Sequence, residues 1–382
     1  MKKNADVVII GGGIIGMAVA FYLAREKYGD IVLLEKEKFL GSWSTSKAAG
    51  GIRAQFSIKV NIEMSMLSER MFRQFENDTG YNAVFDQVGY MFLLSRDEDV
   101  EAFTRHVELQ RSCGLDVKVL KPDEISQYAP HVRTDDLQMA TLCLEDGLGD
   151  PHEFLSGYEH AARKMGVEIA LETEVTGFDF EGGKITTVKT SQGDIEAPIV
   201  INAAGAFSGK IGEMAGTDVP VKPYRRQCVT TGPLDFVKPT FPMVVDVATG
   251  LYNHKESKGL LLGWADGSQE SSFDVSIDPD YTDGILERAL DRMPLLETAE
   301  VANVWAGLYE TTPDHRGIIG YDPKVENLFH VTGFSGHGMM HAPAAGIVTM
   351  ETLTGKPRSV DIADLAPTRF QDGDTAIETN VI

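Results

Sequence analysis

The strongest constraint on this chain lies in its first 35 residues. Asp6-Val-Val-Ile-Ile10 is a short β-branched run stopped by glycine, which reads as a strand buried on both faces. Gly11-Gly-Gly13-Ile-Ile-Gly16 follows at once. Ile14 to Lys27 then carries apolar residues at helical spacing, and Gly29-Asp30 ends it. Ile31-Val-Leu-Leu34 is a second buried strand, closed by Glu35. This predicts a βαβ unit of about 30 residues with the glycines in its first turn. Gly11 permits the tight turn, Gly13 lets the backbone approach a pyrophosphate, and Gly16 allows close helix–strand packing. The pyrophosphate would rest on the free N–H groups of the helix start, at Ile14 and Ile15. Glu35, 19 residues past Gly16, would accept hydrogen bonds from ribose hydroxyls and repel a 2′-phosphate. With 38 glycines in the chain a chance match is easy. The strand before, the helix after and the acid beyond give the pattern its weight. FAD and NAD share this fingerprint, so these residues leave both open.

Composition narrows the partners. The 382 residues allow one or two domains. Fifty-seven acidic against 35 basic residues give a net charge of −22, which repels nucleic-acid backbones and anionic lipid headgroups. Cys113, Cys143 and Cys228 are far apart and odd in number, so neither a disulfide framework nor a zinc site is supported. The nine histidines are scattered as well, and no metal is expected. A reducing, cytoplasmic setting follows by default. Lys2 and Lys3 ahead of the apolar run Val7–Leu23 imitate a secretory signal. The glycines within that run argue against it, and no transmembrane segment is expected.

Further along, Asp150-Pro-His-Glu153 opens a helix with a cap, a first-turn proline and a capping-box acid. Phe154, Leu155, Tyr158, Ala162 and Met165 give it an apolar stripe, and Gly166 stops it. Strands are expected at Val167–Ala170 and Glu174–Phe178, with turns at Glu181-Gly-Gly183 and Gln192-Gly193. Pro198–Asn202 is another buried strand, running into Ala203-Ala204-Gly205. Residues 224–310 read as a mixed α+β insertion with a helix near Asp283–Arg292. After a strand at Leu328–Thr332 comes a second glycine-rich turn, Gly333-Phe-Ser-Gly336-His337-Gly338-Met339, before a final helix to about Leu353. Its helix start could stabilise negative charge, such as that on N1 and the C2 carbonyl of a reduced flavin. An ordinary helix start fits the spacing equally well. The tail after Asp372 is polar and expected to be loosely held.

Several motifs, in order, carry a resemblance. They are the first glycine turn with Glu35, Gly41-Ser-Trp-Ser-Thr45, Gly50-Gly-Ile-Arg-Ala-Gln-Phe56 and Asp146-Gly-Leu-Gly-Asp-Pro151. Asn202-Ala-Ala-Gly-Ala-Phe207, Trp305-Ala-Gly-Leu-Tyr309, Thr312-Pro-Asp314 and Gly333-Phe-Ser-Gly-His-Gly338 follow. Together they resemble the FAD-dependent amine and amino-acid oxidoreductases of the D-amino-acid oxidase superfamily. The nearest likeness is to its sarcosine oxidase β-subunit, dye-linked L-proline dehydrogenase and glycine oxidase branch. The resemblance implies an α/β plus α+β fold, a Rossmann-like FAD-binding domain with an inserted mixed-sheet substrate domain. The FAD domain would take 1–85, 145–220 and 325–382, and the substrate domain 86–144 and 221–324.

By the same resemblance, Gly11, Gly13, Gly16, Glu35 and Lys36 would hold the ADP half. Ser44 and Thr45, with Gly51 and Ile52 beyond them, would line the phosphate and ring region. Val175 would meet adenine through its backbone, and Ala204 and Gly205 would lie near the pyrophosphate or ribose. Gly333, Gly336, His337, Gly338 and Met339 would cover the pyrimidine edge of the flavin. Where some relatives attach flavin through cysteine, this chain has Gly307, so non-covalent FAD is expected. A carboxylate-binding lysine of the family is Met340 here, and an arginine near Tyr309 is missing. Arg53 is the first candidate for that carboxylate, with Arg225 and Arg226 behind it. Tyr252, His254, Trp264, Tyr309 and His337 are expected in the pocket. A lysine over the flavin in fast oxidases aligns with Leu261, which favours an electron acceptor other than oxygen.

The implied activity is hydride transfer from the α-carbon of a small, secondary amino acid such as sarcosine or L-proline to flavin N5, at a CH–NH bond. An acceptor carrier or partner subunit, within an oligomer or hetero-complex, would take the electrons. Oxidation of a 2-hydroxy acid or glycerol 3-phosphate is one alternative. A non-catalytic flavoprotein subunit is another.

Overall fold

In the computed structural model, residues 2–373 and 376–381 are described. The opening unit forms as its pattern requires: β1 (Val7–Ile10), α1 (Ile14–Arg25) and β2 (Ile31–Leu34). Every residue of both strands is buried, because their two faces are covered by different layers. Val7, Ile9, Ile31 and Leu33 pack with Met17 and Phe21 of α1. Val8, Ile10, Val32 and Leu34 pack against Val175, Phe178 and Val188 of a small three-stranded sheet. A continuous apolar run, without alternation, is what two covered faces demand.

Two glycines of the motif are fixed by contact. Gly11 has φ +116°, and a Cβ there would lie 2.3 Å from the Ala203 carbonyl oxygen. A Cβ on Gly16 would lie 2.0 Å from the Gly11 carbonyl oxygen. Neither position can carry a side chain without moving backbone.

β1 lies inside a six-stranded sheet, paired in parallel with β2 on one side and Ile199–Asn202 on the other. Leu328–Thr332 continues the parallel order, and Glu168–Ala170 flanks β2. Ile318–Tyr321, expected in the substrate domain, belongs to this sheet instead. It forms an antiparallel hairpin with Leu328–Thr332, pairing Ile318 with Thr332.

An eight-stranded sheet supplies the second layer. Its order is Val301–Thr311, Lys222–Thr231, Gly259–Trp264, Leu251–Glu256, Met243–Asp246, Tyr90–Leu94, Met139–Cys143 and Val117–Leu120. One face packs against Ile285 and Ala289 of the helix Pro279–Arg292. That helix begins before Asp283 because Asp278 caps it, accepting from the N–H groups of Asp280 at 3.1 Å and Tyr281 at 3.4 Å. The other face carries Tyr90, Phe92, Cys228, Tyr252 and Leu261.

The helix at Asp150 also forms, over Pro151–Lys164, with the Asp150 carboxylate accepting from His152 N–H at 2.8 Å. Two helices, Lys59–Arg73 and Asp97–Ser112, were not expected from the sequence. The helix Gly338–Thr354 is buried almost all round, against α1 and Lys59–Arg73. No described helix is long and apolar enough to cross a membrane.

The tail corrects the expectation of a loose end. Glu378 and Asn380 are only 0% and 3% exposed. The Glu378 carboxylate accepts from Ser57 N–H at 2.8 Å, Asn61 Nδ2 at 3.0 Å and Asn380 N–H at 3.0 Å. Its own N–H donates to the Asp314 carbonyl at 3.0 Å. A buried carboxylate satisfied by several donors anchors a polar segment as firmly as an apolar one. Asp374, Thr375 and Ile382 lie outside the described residues.

Candidate active site

Residues from both large sheets line one cleft. On the dinucleotide side β1 and β2 end at it, delivering Gly11, Gly13 and Glu35. Glu35 is held by two backbone donors, Gly12 N–H at 2.8 Å and Glu37 N–H at 2.9 Å. Burial pushes its carboxyl up, while those two donors pull the other way. Thr45 Oγ1 accepts from Ile14 N–H at 3.1 Å, and Ser44 Oγ donates to the Leu308 carbonyl at 2.7 Å. The loop between β2 and the Gly51–Ile52 strand is thereby tied to both layers.

Two long helices, α1 and Gly338–Thr354, begin at this cleft. Neither has a side-chain cap, and neither carries an acid in its first turn. Apart from the Ile14 N–H, which Thr45 Oγ1 takes, their first N–H groups have no partner within the helix, and together with the positive ends they suit an anionic group. Lys36 adds a cation, its ammonium 3.4 Å from the ring centre of Phe207 and 4.9 Å from that of Trp43. Trp43, Phe207 and Lys210 also line the cleft and were missed. Nothing local signals them, since Trp43 and Phe207 meet only through the fold.

On the other side Arg53 is fully buried yet lines the cleft. Its guanidinium lies 4.0 Å from the ring centre of Phe56. It donates to the Gln55 carbonyl at 2.6 Å and to the Asn380 carbonyl, and its Nη2 sits 3.3 Å from His337 Nε2. A guanidinium can only donate, so His337 Nε2 accepts and the ring is neutral. Burial and the neighbouring Arg53 charge both hold His337 well below its usual range. Arg53 Nε has no partner among the described residues.

Tyr309, Tyr252, Cys228 and Gly307 come from the eight-stranded sheet. Burial raises the Tyr309 phenol, and the charges of Arg226 and Arg53 partly offset it. The adjacent Glu310 also lines the cleft and was missed. It accepts from Phe334 N–H at 3.3 Å and so braces the Gly333–Gly338 turn. Burial pushes its carboxyl up to about 7.

The cleft gathers most of the expected residues. Gly11, Gly13, Ile14, Ile15, Glu35, Lys36, Ser44, Thr45, Gly51, Arg53, Val175, Ala204 and Gly205 line it, as do Gly307, Tyr309, Gly336, His337, Gly338 and Met339. Gly16, Ile52, Gly333 and His254 do not. Gly16 is spent on packing against Gly11. Ile52 is buried in the core cluster of α1. Gly333 makes the left-handed turn, φ +73°, that aims the helix behind it. His254 shares its strand face with Tyr252 but lies two residues beyond the cleft, with Nδ1 2.8 Å from the Lys255 carbonyl oxygen. Arg225 points to the opposite face of its strand and is taken by Asp278 at 2.9 Å. Arg226 lines the cleft.

A βαβ cradle with uncapped helix starts, facing a cationic and aromatic wall across one cleft, defines a dinucleotide-dependent oxidoreductase. The chain belongs to the DAO family of FAD dependent oxidoreductases, whose family model matches residues 6–352. It is similar to FAD-dependent oxidoreductase domain-containing protein 1 of Mus musculus, at 31% identity over 100% of this chain and 88% of that protein. It is 28% identical to mitochondrial sarcosine dehydrogenase of Mus musculus, over 91% of this chain and 39% of that protein. Among solved structures, L-proline dehydrogenase from P. horikoshii matches with a TM-score of 0.91 at 31% identity, covering 98% of this chain and 100% of that one. The residues present fit FAD. The motif glycines leave room for a pyrophosphate, the helix starts carry no side-chain cap, and Glu35 stands ready for a ribose.

Proposed function

We propose that this protein oxidises a small amino acid at its CH–NH bond, most suitably a secondary amine such as sarcosine or L-proline. The observation that carries this reading is Arg53, a fully buried cation on the cleft with one nitrogen unpartnered. A buried guanidinium calls for an anion, and a substrate carboxylate supplies one. The names of two relatives, sarcosine dehydrogenase and L-proline dehydrogenase, point to the same class.

FAD supplies the two-electron acceptor for the hydride that leaves the α-carbon. The chain's own residues bind and orient. Arg53 holds the carboxylate and thereby fixes which face of the α-carbon is presented. Neutral His337 adds no charge beside it, so the amine can enter uncharged. Tyr309 and Tyr252 form the wall. As the hydride leaves, the nitrogen lone pair closes the C=N bond, and water then releases the product.

FAD is held non-covalently, because Gly307 offers no thiol and lies against Lys47, whose Cβ would be 2.5 Å from a Cβ there. Leu261 sits in an apolar cluster with Tyr90 and Phe92, where it provides no fixed cation for oxygen reduction. Electrons therefore pass to a carrier or a partner subunit.

The test is an anaerobic screen of sarcosine, L-proline, glycine, lactate and glycerol 3-phosphate, followed by the flavin spectrum. Bleaching by the amines with slow recovery in air is expected. Bleaching by the hydroxy compounds alone, or by none, refutes the reading. Acid precipitation should release the flavin into the supernatant; retention in the pellet refutes the non-covalent part.

A further inference from the structure

A second cation in the cleft has no assigned use. On the strand Lys222–Thr231, Arg225 and Gln227 point away from the cleft and engage Asp278, at 2.9 and 3.0 Å. Alternation turns Arg226 and Cys228 toward the cleft. Arg226 stands directly opposite Gly307 on the neighbouring strand, so no side chain there meets it. Its guanidinium carbon lies 5.1 Å from the ring centre of Tyr309. Nη1 donates to the Arg225 carbonyl at 3.0 Å, while Nε is buried without a partner. No ion pair holds Arg226 among the described residues, although nine other arginines have one.

Asp266 feels the Arg226 charge but is already engaged. The Asp266 carboxylate already accepts from Ser268 N–H at 2.9 Å, Ser268 Oγ at 2.7 Å and Gln269 Nε2 at 2.8 Å. Two guanidinium groups thus act on Tyr309, Arg53 and Arg226, each with an Nε left over. One substrate carboxylate answers one of them. Leaving the other half-buried and unpaired is costly.

We propose that the substrate carries a second carboxylate, received by Arg226, so that the preferred class is a secondary amino dicarboxylic acid rather than a simple N-alkyl glycine. The inference rests on the amino-acid reading above and sharpens it. Arg53 takes the carboxylate beside the reacting carbon, and Arg226 takes the distal one across the Tyr309 ring. Arg226 is a specificity residue here, since it meets a part of the substrate remote from the bond that breaks.

The test compares sarcosine and L-proline with iminodiacetate and N-methyl-L-aspartate as anaerobic reductants of the holoenzyme, in wild type, Arg226→Gln and Arg226→Lys. Wild type should half-saturate at roughly 10- to 100-fold lower dicarboxylate than monocarboxylate. Arg226→Gln should raise KM for the dicarboxylates by a similar factor, move kcat far less, and shift the monocarboxylates little. Arg226→Lys should recover part of the loss. A flavin difference spectrum with non-oxidisable succinate, set against acetate, reads binding without turnover. Equal half-saturation for both classes in wild type overturns the proposal. So does an equal loss for both classes in Arg226→Gln with normal flavin content. If no amine reduces the flavin, the amino-acid reading itself fails, a result distinct from equal half-saturation, and this inference fails with it.

Discussion

At the scale of single residues, the site is set by atoms that cannot be larger or differently charged. Gly11 combines a left-handed φ with a carbonyl oxygen in the place of its missing Cβ. Gly11→Ala should cost about 1–3 kcal/mol of stability and lower FAD affinity with it, read by thermal unfolding and flavin titration. Gly13 differs: a Cβ there would meet only Thr45 Oγ1 at 3.3 Å. Its smallness serves what approaches from the cleft rather than the fold. Glu310 gives a pH prediction with a definite sign. Its carboxyl titrates near 7 in the folded chain and near 4.5 when unfolded, so the folded state binds the proton more tightly. That contribution is complete below about pH 4.5 and is lost as pH rises through 7, by about 3 kcal/mol. Melting temperature should therefore fall between pH 5 and 8, and Glu310→Gln should flatten the fall. An unchanged slope in the variant sinks the assignment.

At the scale of elements, the C-terminal segment acts as a strut for Arg53. Glu378 and Asn380 grip Ser57, Asn61 and the Gln55 carbonyl, and the Asn380 carbonyl accepts from Arg53 itself. Glu378→Ala strands several buried donors and should cost about 2–3 kcal/mol. It should also raise KM for the amine several-fold, because the guanidinium loses its seat. Glu378→Gln, which keeps an acceptor, should do less on both counts.

The sequence announced some elements and hid others for a physical reason. β1, α1 and β2 were legible because their chemistry is local: glycines, a continuous apolar run and an acid within 35 residues. Asp150 caps its helix through a neighbour two residues away and was legible, whereas the equally local Asp278 cap lies ahead of the expected Asp283–Arg292 helix. The strut was not legible, since nothing in Ile377-Glu-Thr-Asn380 indicates that its side-chain partners Ser57 and Asn61, and Arg53, lie more than 300 residues earlier. The same holds for Glu69 and Asp146, two carboxyls buried together behind Ala54 and Gln55. Burial and the adjacent carboxylate push the Glu69 carboxyl far above its usual range. His254 failed for a smaller reason. Strand alternation gave it the correct face, but the cleft ends two residues before it.

At the scale of the molecule, the net charge of −22 and the binding of an anionic cofactor are compatible because different atoms are responsible. Side chains set the outer field; backbone N–H groups at two helix starts and a few cations set the cleft. Those groups come from stretches far apart in sequence, so FAD bound there would tie the two layers together. Removing it should lower the melting temperature, and restoring it at about 1,000-fold its Kd should return roughly 4 kcal/mol. A melting temperature indifferent to FAD would contradict a site shared between both sheets.

The strand order of the six-stranded sheet also sets a timetable. β1 must be flanked by Ile199–Asn202, and Ile199 leaves the ribosome 189 positions after Ile10. At roughly 5–20 residues per second, one edge of β1 waits roughly 10–40 s for its neighbour. Throughout that interval an apolar β-strand is open to any other chain, so yield in a host should track translation rate and chaperone supply more closely than the stability of the finished enzyme.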